Sequence, residues 1–295
     1  MFKSILLKDI SPTATQNFLQ HSIAPRPICF ASTIDKNGNV NLSPFSFFNL
    51  FSTNPAVIVF SPSRRGRDNT TKHTLQNILE VPEVVVNVVS YEMIQQTSLA
   101  SCEFPKGTDE FIKTGFTKES SQIIKPPRVK ESPVQLECKV LEVKPLGTEG
   151  GAGNLVIAEV LMMHINENIL DEVGNIDQKK LDLMARLGGN WYTRANASTI
   201  FEVEKPNTQI GIGVDALPEN IRNSKILTGN NLGKLANVNE MPFVDPAFED
   251  DKLKNIFQYY STDPEEMEIE LHILAKELLD SGKVKEAWQV LLALN

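Results

Sequence analysis

The sequence has few cysteines and no long apolar run. Its three cysteines, Cys29, Cys102 and Cys138, are odd in number and far apart, which argues against a disulfide framework and against a metal knuckle. We expect them to be small buried apolar residues in a reducing compartment, so the predicted location is the cytoplasm. No stretch reaches about 18 consecutive apolar residues, and the first apolar run is too short for a signal-peptide core. No membrane association is therefore expected.

Common catalytic motifs are also missing. The sequence contains no phosphate-binding P-loop, no nucleophile elbow, no H-E-x-x-H and no C-x-x-C. Gly211-Ile-Gly213 is an isolated G-x-G and is weak evidence for a dinucleotide site. The four histidines are scattered along the chain: His21, His73, His164 and His272. We therefore predict no metal site and no catalytic side chain, and expect a cofactor to carry any chemistry. His164, inside an apolar strand, is expected in the core or at a dimer interface.

The charge is distributed unevenly. The net charge is −8, and residues 245–295 hold 12 acidic and 5 basic residues, a balance of −7. One window opposes this trend: Ser61–Thr74 has four basic residues and only Asp68 as an acid, a local charge of +3. A short basic window suits one small anion, whereas a nucleic-acid backbone requires an extended basic stripe. Nucleic acid is therefore not an expected partner.

Hydrophobic patterning predicts a mainly β domain over residues 1–200 and a Gly/Asn-rich arm with an α-helical extension over 201–295. Short apolar segments, few helices between them and an Asn-Gly turn favour an antiparallel barrel over a doubly wound sheet. The predicted strands are Pro27–Ile34, Val40–Ser52, Ala56–Phe60, Glu83–Ser90, Pro133–Pro145 and Asn154–Asn166. The predicted helices are Thr74–Leu79, Tyr91–Ser101, Gln178–Leu187, Asp250–Tyr260, Pro264–Leu279 and Val284–Leu294. The last three are expected to pack on their own core or on a partner subunit, and Ile210–Met241 shows no clear period.

Two neighbouring segments have the composition of a ligand site. In the basic window, Ser61, Arg64, Lys72 and Thr74 combine hydroxyl groups with cations, and Thr74 opens a helix whose first amides favour an anion. A solvated loop with a helix cap explains these residues equally well. Just upstream, Asn41–Asn49 mixes polar residues with three phenylalanines, which suits the wall of a planar heteroaromatic ligand. Burial in the core also explains the phenylalanines.

Several motifs resemble those of the flavin reductase-like family, whose members have an FMN-binding split barrel and include flavoredoxins. They occur in the family's order between about residues 22 and 195. The motifs are N-L-S-P-F-S-F-F-N (Asn41–Asn49), F-S-P-S-R-R (Phe60–Arg65), K-H-T-L-Q-N-I (Lys72–Ile78), F-P-K-G-T-D-E-F (Phe104–Phe111), K-E-S-P-V-Q-L-E-C (Lys130–Cys138) and A-R-L-G-G-N-W-Y (Ala185–Tyr192). His73 is a departure, because the family usually has Asp there.

The resemblance implies an antiparallel Greek-key split barrel that forms a homodimer and holds FMN near the subunit interface. Ser46, Phe47 and Asn49 would line the isoalloxazine. The phosphate would be held by Ser61, Arg64, Lys72 and Thr74. Arg26 and Tyr192 would border the pocket, although Arg26 could instead anchor a turn and Tyr192 a dimer interface.

The implied function is an FMN-binding oxidoreductase in which NADH or NADPH delivers hydride to the flavin N5. Such a reaction needs no titrating side chain, which agrees with the missing catalytic motifs. One alternative is a flavoredoxin-like carrier that keeps FMN and exchanges electrons with a redox protein partner. A third possibility is a cofactor-free barrel whose acidic helical tail binds a partner.

Overall fold

The chain divides into two compact units, Met1–Phe201 and Glu202–Asn295, and each is described by itself. The structure is a computed structural model that describes residues 1–203, 205–206 and 210–293. Within the described residues, the strands belong to the first unit: β1 (Arg26–Pro27), β2 (Cys29–Ile34), β3 (Val40–Phe45), β4 (Phe48–Thr53), β5 (Ala56–Phe60), β6 (Glu83–Val88), β7 (Lys118–Glu119), β8 (Arg128–Val129), β9 (Val134–Pro145), β10 (Asn154–Ile165), β11 (Leu183–Arg186) and β12 (Tyr192–Ala195). Its α-helices are α1 (Pro12–Ser22), α2 (His73–Glu80), α3 (Ile94–Leu99), α4 (Glu110–Thr114) and α5 (Gln178–Leu181).

Seven strands form one antiparallel sheet in the order β3-β2-β6-β9-β10-β5-β4. Its edge strands, β3 and β4, are consecutive in the chain, and only Ser46 and Phe47 separate them. A flat sheet of this size would hold its edges about 29 Å apart, at about 4.8 Å per step, and two linking residues cannot span that distance. The sheet therefore curls until its edges meet. The result is a barrel with a seam at Ser46 and Phe47.

The core of this unit shows the two-residue period of strands. In β2, Cys29 and Ala31 pack into a cluster formed by the seven-stranded sheet and α2. The preceding Ile28 and the intervening Phe30 pack instead with residues of α3 and α4. Because successive strand side chains point to opposite faces, both faces of β2 are buried.

Three expectations are corrected by the structure. The strand predicted over Val40–Ser52 is two strands, interrupted at the seam. The helix predicted over Gln178–Leu187 is wrong: it ends after Leu181, because Asp182 takes a left-handed conformation with φ 50°. The following residues form β11, which pairs between β1 and β12. Cys102 is exposed, whereas Cys29 and Cys138 are buried as expected.

The N-terminal helix α1 was not anticipated. Its local signal is Ser11, whose hydroxyl accepts a hydrogen bond from the amide of Ala14 at 3.2 Å, followed by Pro12 at the first helical position. The helix buries none of its residues within the chain. Its larger apolar residues, Phe18 and Leu19, are exposed and do not form the apolar stripe by which helices are usually recognised.

The second unit has a helical core of its own. Its helices are α6 (Glu219–Arg222), α7 (Gly229–Ala236), α8 (Asp251–Tyr259), α9 (Pro264–Asp280) and α10 (Val284–Leu292). The last residue of the helix predicted over 284–294 lies outside the described residues. Trp288, Leu271 and Leu279 are nearly inaccessible at the centre of the core. The arm that lacked a clear period contains α6 and α7, the latter begun by a capping box between Thr228 and Asn231. In the described part of the chain, no helix has the length and apolar character needed to cross a membrane.

Candidate functional site

A cavity of about 350 Å³ lies at the barrel seam. Four parts of the first unit form it: the β3–β4 junction, the basic loop between β5 and α2, one side of α1 and the loop between α3 and α4. Its lining residues are Gln16, Gln20, Pro44, Phe45, Ser46, Phe47, Ser61, Ser63, Arg64, Arg65, Gly66, Arg67, Lys72 and Glu103. The volume lies within the range of about 300–1,000 Å³ that is usual for small-molecule sites.

The arginines of the basic loop after β5 are engaged in contacts that stabilise the conformation of this loop. Arg64 donates from Nε and Nη2 to the side chain and the carbonyl of Asn69, both at 2.6 Å. Arg65 donates to the carbonyl of Thr71 at 2.7 Å. Arg67 forms an ion pair with Glu103 at 2.6 Å. These contacts organise the loop before any ligand binds.

Lys72 differs from the arginines. It lies at the boundary before α2, is half-buried, and its ammonium group has no hydrogen-bond or ion-pair partner among the described residues. Burial lowers the pKa of Lys72, the nearby Arg65 charge lowers it further, and Glu103 opposes these effects. A half-buried cation without a partner is suited to an anionic ligand.

Ser61 provides a second unsatisfied group in the wall of the same cavity. The residue is buried, and its hydroxyl has no hydrogen-bond partner within the described chain. Its backbone amide donates to the carbonyl of Phe47 at 2.8 Å, which joins the loop to the seam. A Cβ at Gly153 would come within 2.6 Å of the Ser61 hydroxyl, so a larger residue there would force that hydroxyl to move. Buried hydroxyls usually have a partner, so a hydroxyl without one at a cavity wall is suited to bind a ligand.

Thr74 lies outside the lining of the large cavity, in a smaller cavity next to it. Together with Lys72 it lines a small cavity of about 20 Å³. Its hydroxyl donates to Oδ1 of Asn41 at 2.7 Å, and Nδ2 of Asn41 donates to the buried carboxylate of Glu110 at 2.8 Å. Burial raises the pKa of Glu110, while the hydrogen bonds from Leu42 and Asn41 lower it. The Thr74 hydroxyl proton is therefore already used, and its amide in the first turn of α2 remains for an anion.

A second cavity, of about 200 Å³, adjoins the first and shares Pro44, Phe45 and Ser46 with it. Its other walls come from the β1–β2 junction, from α3 and the residues just after it, and from the β11–β12 hairpin. These lining residues are Ile28, Ile94, Thr97, Ser98, Ser101, Arg186 and Tyr192. Tyr192, expected at the pocket border, thus lies in this second cavity.

Arg26 and Asn49 lie outside the walls of both cavities. Arg26 is buried and donates to the carbonyls of Gln20 and Leu187, at 2.6 and 2.8 Å, and its Nε lies 3.5 Å from the Ser46 hydroxyl. It therefore anchors the chain around the seam. Asn49 is exposed on β4, and its side chain accepts a hydrogen bond from the amide of Leu50 at 2.8 Å.

Several lining residues were not found from the sequence. Gln16, Gln20, Thr97 and Arg186 come from elements distant in the chain, and only the fold brings them to the seam. The Ser11-Pro12 signal could have located α1, but not its position beside the barrel. In the described part of the chain, no group of three or more His, Cys, Asp or Glu residues is placed to hold a metal ion.

The family follows from a direct match of sequence. A family model described as a flavin reductase like domain matches residues 21–183, more than half of the chain. The chain belongs to the flavin reductase-like family. The matched segment contains the seam, the basic loop and α2, and it ends at the first residue of β11.

Individual relatives agree with this assignment. An uncharacterized protein of Aquifex aeolicus is 40% identical over 173 residues, which cover 59% of this flavin reductase-like chain and 86% of the relative. The crystal structure of nitrilotriacetate monooxygenase component B from Bacillus cereus has a TM-score of 0.64 and 28% identity, covering 69% of this chain and 99% of that one. Flavoredoxin of Desulfovibrio vulgaris shares the fold, with a TM-score of 0.53, 18% identity, and coverage of 69% and 97%. The barrel is therefore a flavin reductase-like split barrel, as expected from the sequence.

Proposed function

We propose that the protein is an FMN-binding oxidoreductase whose flavin is reduced by NADH or NADPH. The observation that carries the proposal is that one cavity joins Ser46 and Phe47, expected at the flavin ring, with Ser61 and Lys72, expected at the phosphate. These pairs come from different strands and loops. Membership of the flavin reductase-like family supports flavin as the ligand.

The chemistry of the cavity fits FMN. A phosphate requires cations and hydrogen-bond donors, and Lys72 and the Ser61 hydroxyl are both unpartnered in the described structure. The amides that open α2 add further donors with the favourable helix dipole. A planar ring requires an apolar wall, which Phe45 and Phe47 provide at the seam. The lining of one cavity supplies both.

The chain's own residues bind and orient the cofactor in this proposal. Lys72 and Ser61 hold the phosphate, while Arg64 keeps the loop in shape through Asn69. Arg26 places the Ser46 hydroxyl, since its Nε lies 3.5 Å from that oxygen. When bound, the flavin supplies the electron-transfer chemistry, so a titrating catalytic side chain is not required.

We also propose a homodimer in the cytoplasm. Leu50 and Phe51 on β4 have exposed fractions of 57% and 68%, and such apolar exposure beside a site suits a subunit interface. Asn49 is exposed on the same strand. In a dimer through β4, it would lie at the interface, which would reconcile its position with a role near the flavin.

An anaerobic absorbance titration tests the function. The purified protein is loaded with FMN and then mixed with NADH or NADPH in separate cuvettes. Bleaching of the bound-flavin bands by either nucleotide is the expected result and identifies the donor. Bands that persist until dithionite is added would contradict nucleotide-dependent reduction and favour an electron carrier. Failure to bind FMN at all would overturn the cofactor assignment.

A further inference from the structure

The lining of the second cavity is positively charged and partly apolar. Although it shares Pro44, Phe45 and Ser46 with the larger cavity, no Asp or Glu lies among the residues that line it. Arg186 supplies its positive charge, and Ile28 and Ile94 supply apolar surface. We propose that this cavity binds a small planar organic acid through its carboxylate, as a second ligand beside the flavin.

Positive charge accumulates at this end of the seam without compensation. Arg26 and Arg186 have no ion-pair partner among the described residues. Burial lowers the pKa of Arg26, and the nearby Arg186 charge lowers it further. The donors of Arg26 are directed at carbonyl oxygens and at the Ser46 hydroxyl, which carry no net charge. An anion in the neighbouring cavity would balance the two guanidinium charges.

The geometry of Arg186 favours a carboxylate. Its guanidinium lies over the Tyr192 ring, 4.5 Å from the ring centre, and Nη2 donates to the carbonyl of Gly189 at 2.8 Å. Stacking and this hydrogen bond fix the plane of the group, and its remaining N–H donors have no partner in the described structure. A planar guanidinium matches a carboxylate through two parallel hydrogen bonds. The phosphate-suited cation, Lys72, lies in the wall of the other cavity.

Thr97 adds an independent sign of a ligand. It lines the cavity with only 2% of its surface exposed, and its hydroxyl has no partner among the described residues. The hydroxyl can donate to a ligand oxygen without disturbing any existing hydrogen bond. The volume of about 200 Å³ is below the range usual for drug-sized ligands, so the acid is small, about the size of a substituted benzene ring.

Benzoate is a suitable probe for calorimetric titration and ligand-observed NMR with the full-length protein. Benzamide keeps the ring and removes the charge, and nicotinamide mononucleotide offers a phosphate as the anion instead. We expect benzoate to bind at least tenfold more tightly than either. Equal binding of benzamide, or tighter binding of the nucleotide with the same dependence on Arg186, would overturn the proposal.

Variants of its lining residues test whether benzoate binds in the second cavity. Arg186→Gln should weaken benzoate at least tenfold and Thr97→Val severalfold. The matched control is Arg194→Gln, because Arg194 also stacks on a tyrosine, Tyr91, but is paired with Asp182 outside the cavity. An equal loss in the control would overturn the assignment. If Arg186→Gln does not fold, Arg186→Lys keeps the charge and removes the planar fork, and undiminished benzoate binding in it would also contradict the proposal.

The place of this site beside a flavin rests on the proposed function, whereas carboxylate binding does not. The titrations are therefore repeated with and without FMN. Benzoate binding that depends on Arg186 in a protein that binds no FMN would refute the proposed function and leave the carboxylate site standing. Normal FMN binding without any benzoate binding would refute the carboxylate site and leave the proposed function standing.

Discussion

The hydroxyl of Thr74 donates to Oδ1 of Asn41 at 2.7 Å, and the same amide group holds the carboxylate of Glu110 through Nδ2. All three side chains are buried. The contact joins α2 to β3 and α4, so it fixes the position of the helix whose first turn faces the basic loop. Thr74 therefore contributes its hydroxyl to the framework of the site.

Replacing Thr74 with Val tests this division of roles. The variant leaves Oδ1 of Asn41 buried without its donor, which should lower the free energy of unfolding by about 1–3 kcal/mol. The preference for FMN over riboflavin should not change, because the α2 amides and Lys72 remain. Urea denaturation and flavin titrations measure the two effects. A selective loss of FMN affinity, with riboflavin affinity unaffected, would show instead that the Thr74 hydroxyl binds the phosphate.

Local sequence pattern was sufficient for most of the barrel strands. Ala56–Phe60 and the apolar run from Glu83 are strands because β-branched residues fill them and turn residues bound them. The long strands β9 and β10 were recognised on either side of a glycine-rich connection. Such signals lie within a few residues of each other, so no knowledge of the fold is needed to find them.

The remaining features depend on contacts between distant parts of the chain. The segment after Asp182 looks helical in isolation, but it is a strand because β1 and β12 pair with it. Arg186 and Thr97 meet only because the β11–β12 hairpin and α3 enclose the same cavity. The orphaned hydroxyl of Ser61 is equally invisible in the sequence, since its lack of a partner is a property of the packed structure.

Lys72→Ala should weaken the binding of FMN much more than the binding of riboflavin. Losing a charged hydrogen-bonding partner of the phosphate costs about 1.5–3 kcal/mol, so FMN should bind about 10- to 100-fold more weakly while riboflavin is almost unaffected. The charge-matched control is Arg67→Ala, because Arg67 lines the same cavity but is mainly exposed and already paired with Glu103. Fluorescence titration with both flavins gives the ratio. Equal losses for FMN and riboflavin in Lys72→Ala would contradict the phosphate assignment.

Ser61→Ala should have opposite effects on the free and the flavin-bound protein. Without flavin, removing an unpaired buried hydroxyl should raise the free energy of unfolding by up to about 1 kcal/mol, whereas FMN affinity should fall. Ser32→Ala is the control, because the Ser32 hydroxyl is also buried and unpaired but lines neither seam cavity. It should stabilise the protein without changing FMN affinity. Unchanged FMN binding in Ser61→Ala would remove this hydroxyl from the site.

A buried carboxylate on the first unit should make stability depend on pH. Glu137 of β9 is fully buried and accepts hydrogen bonds from the amides of Gln122 and Ile123, both at 2.8 Å, and from Nε2 of His164 at 2.7 Å. Burial raises the pKa of Glu137, but these amides and His164 outweigh it, so the pKa lies below its ordinary value. His164 is thus the partly exposed hydrogen-bond partner of a buried carboxylate in the barrel wall.

Because the pKa of Glu137 is lower in the folded protein, its ionised form stabilises the fold above the unfolded value of about 4.3, and this contribution disappears as the pH falls through the lowered pKa. Glu137→Gln should therefore be less stable than the wild type at pH 7, by a margin that shrinks below pH 4. Urea denaturation across this range measures the margin, with the non-titrating Ser32→Ala as the reference for a constant difference. A margin for Glu137→Gln that does not vary with pH would show that its charge does not stabilise the loop at Gln122 and Ile123.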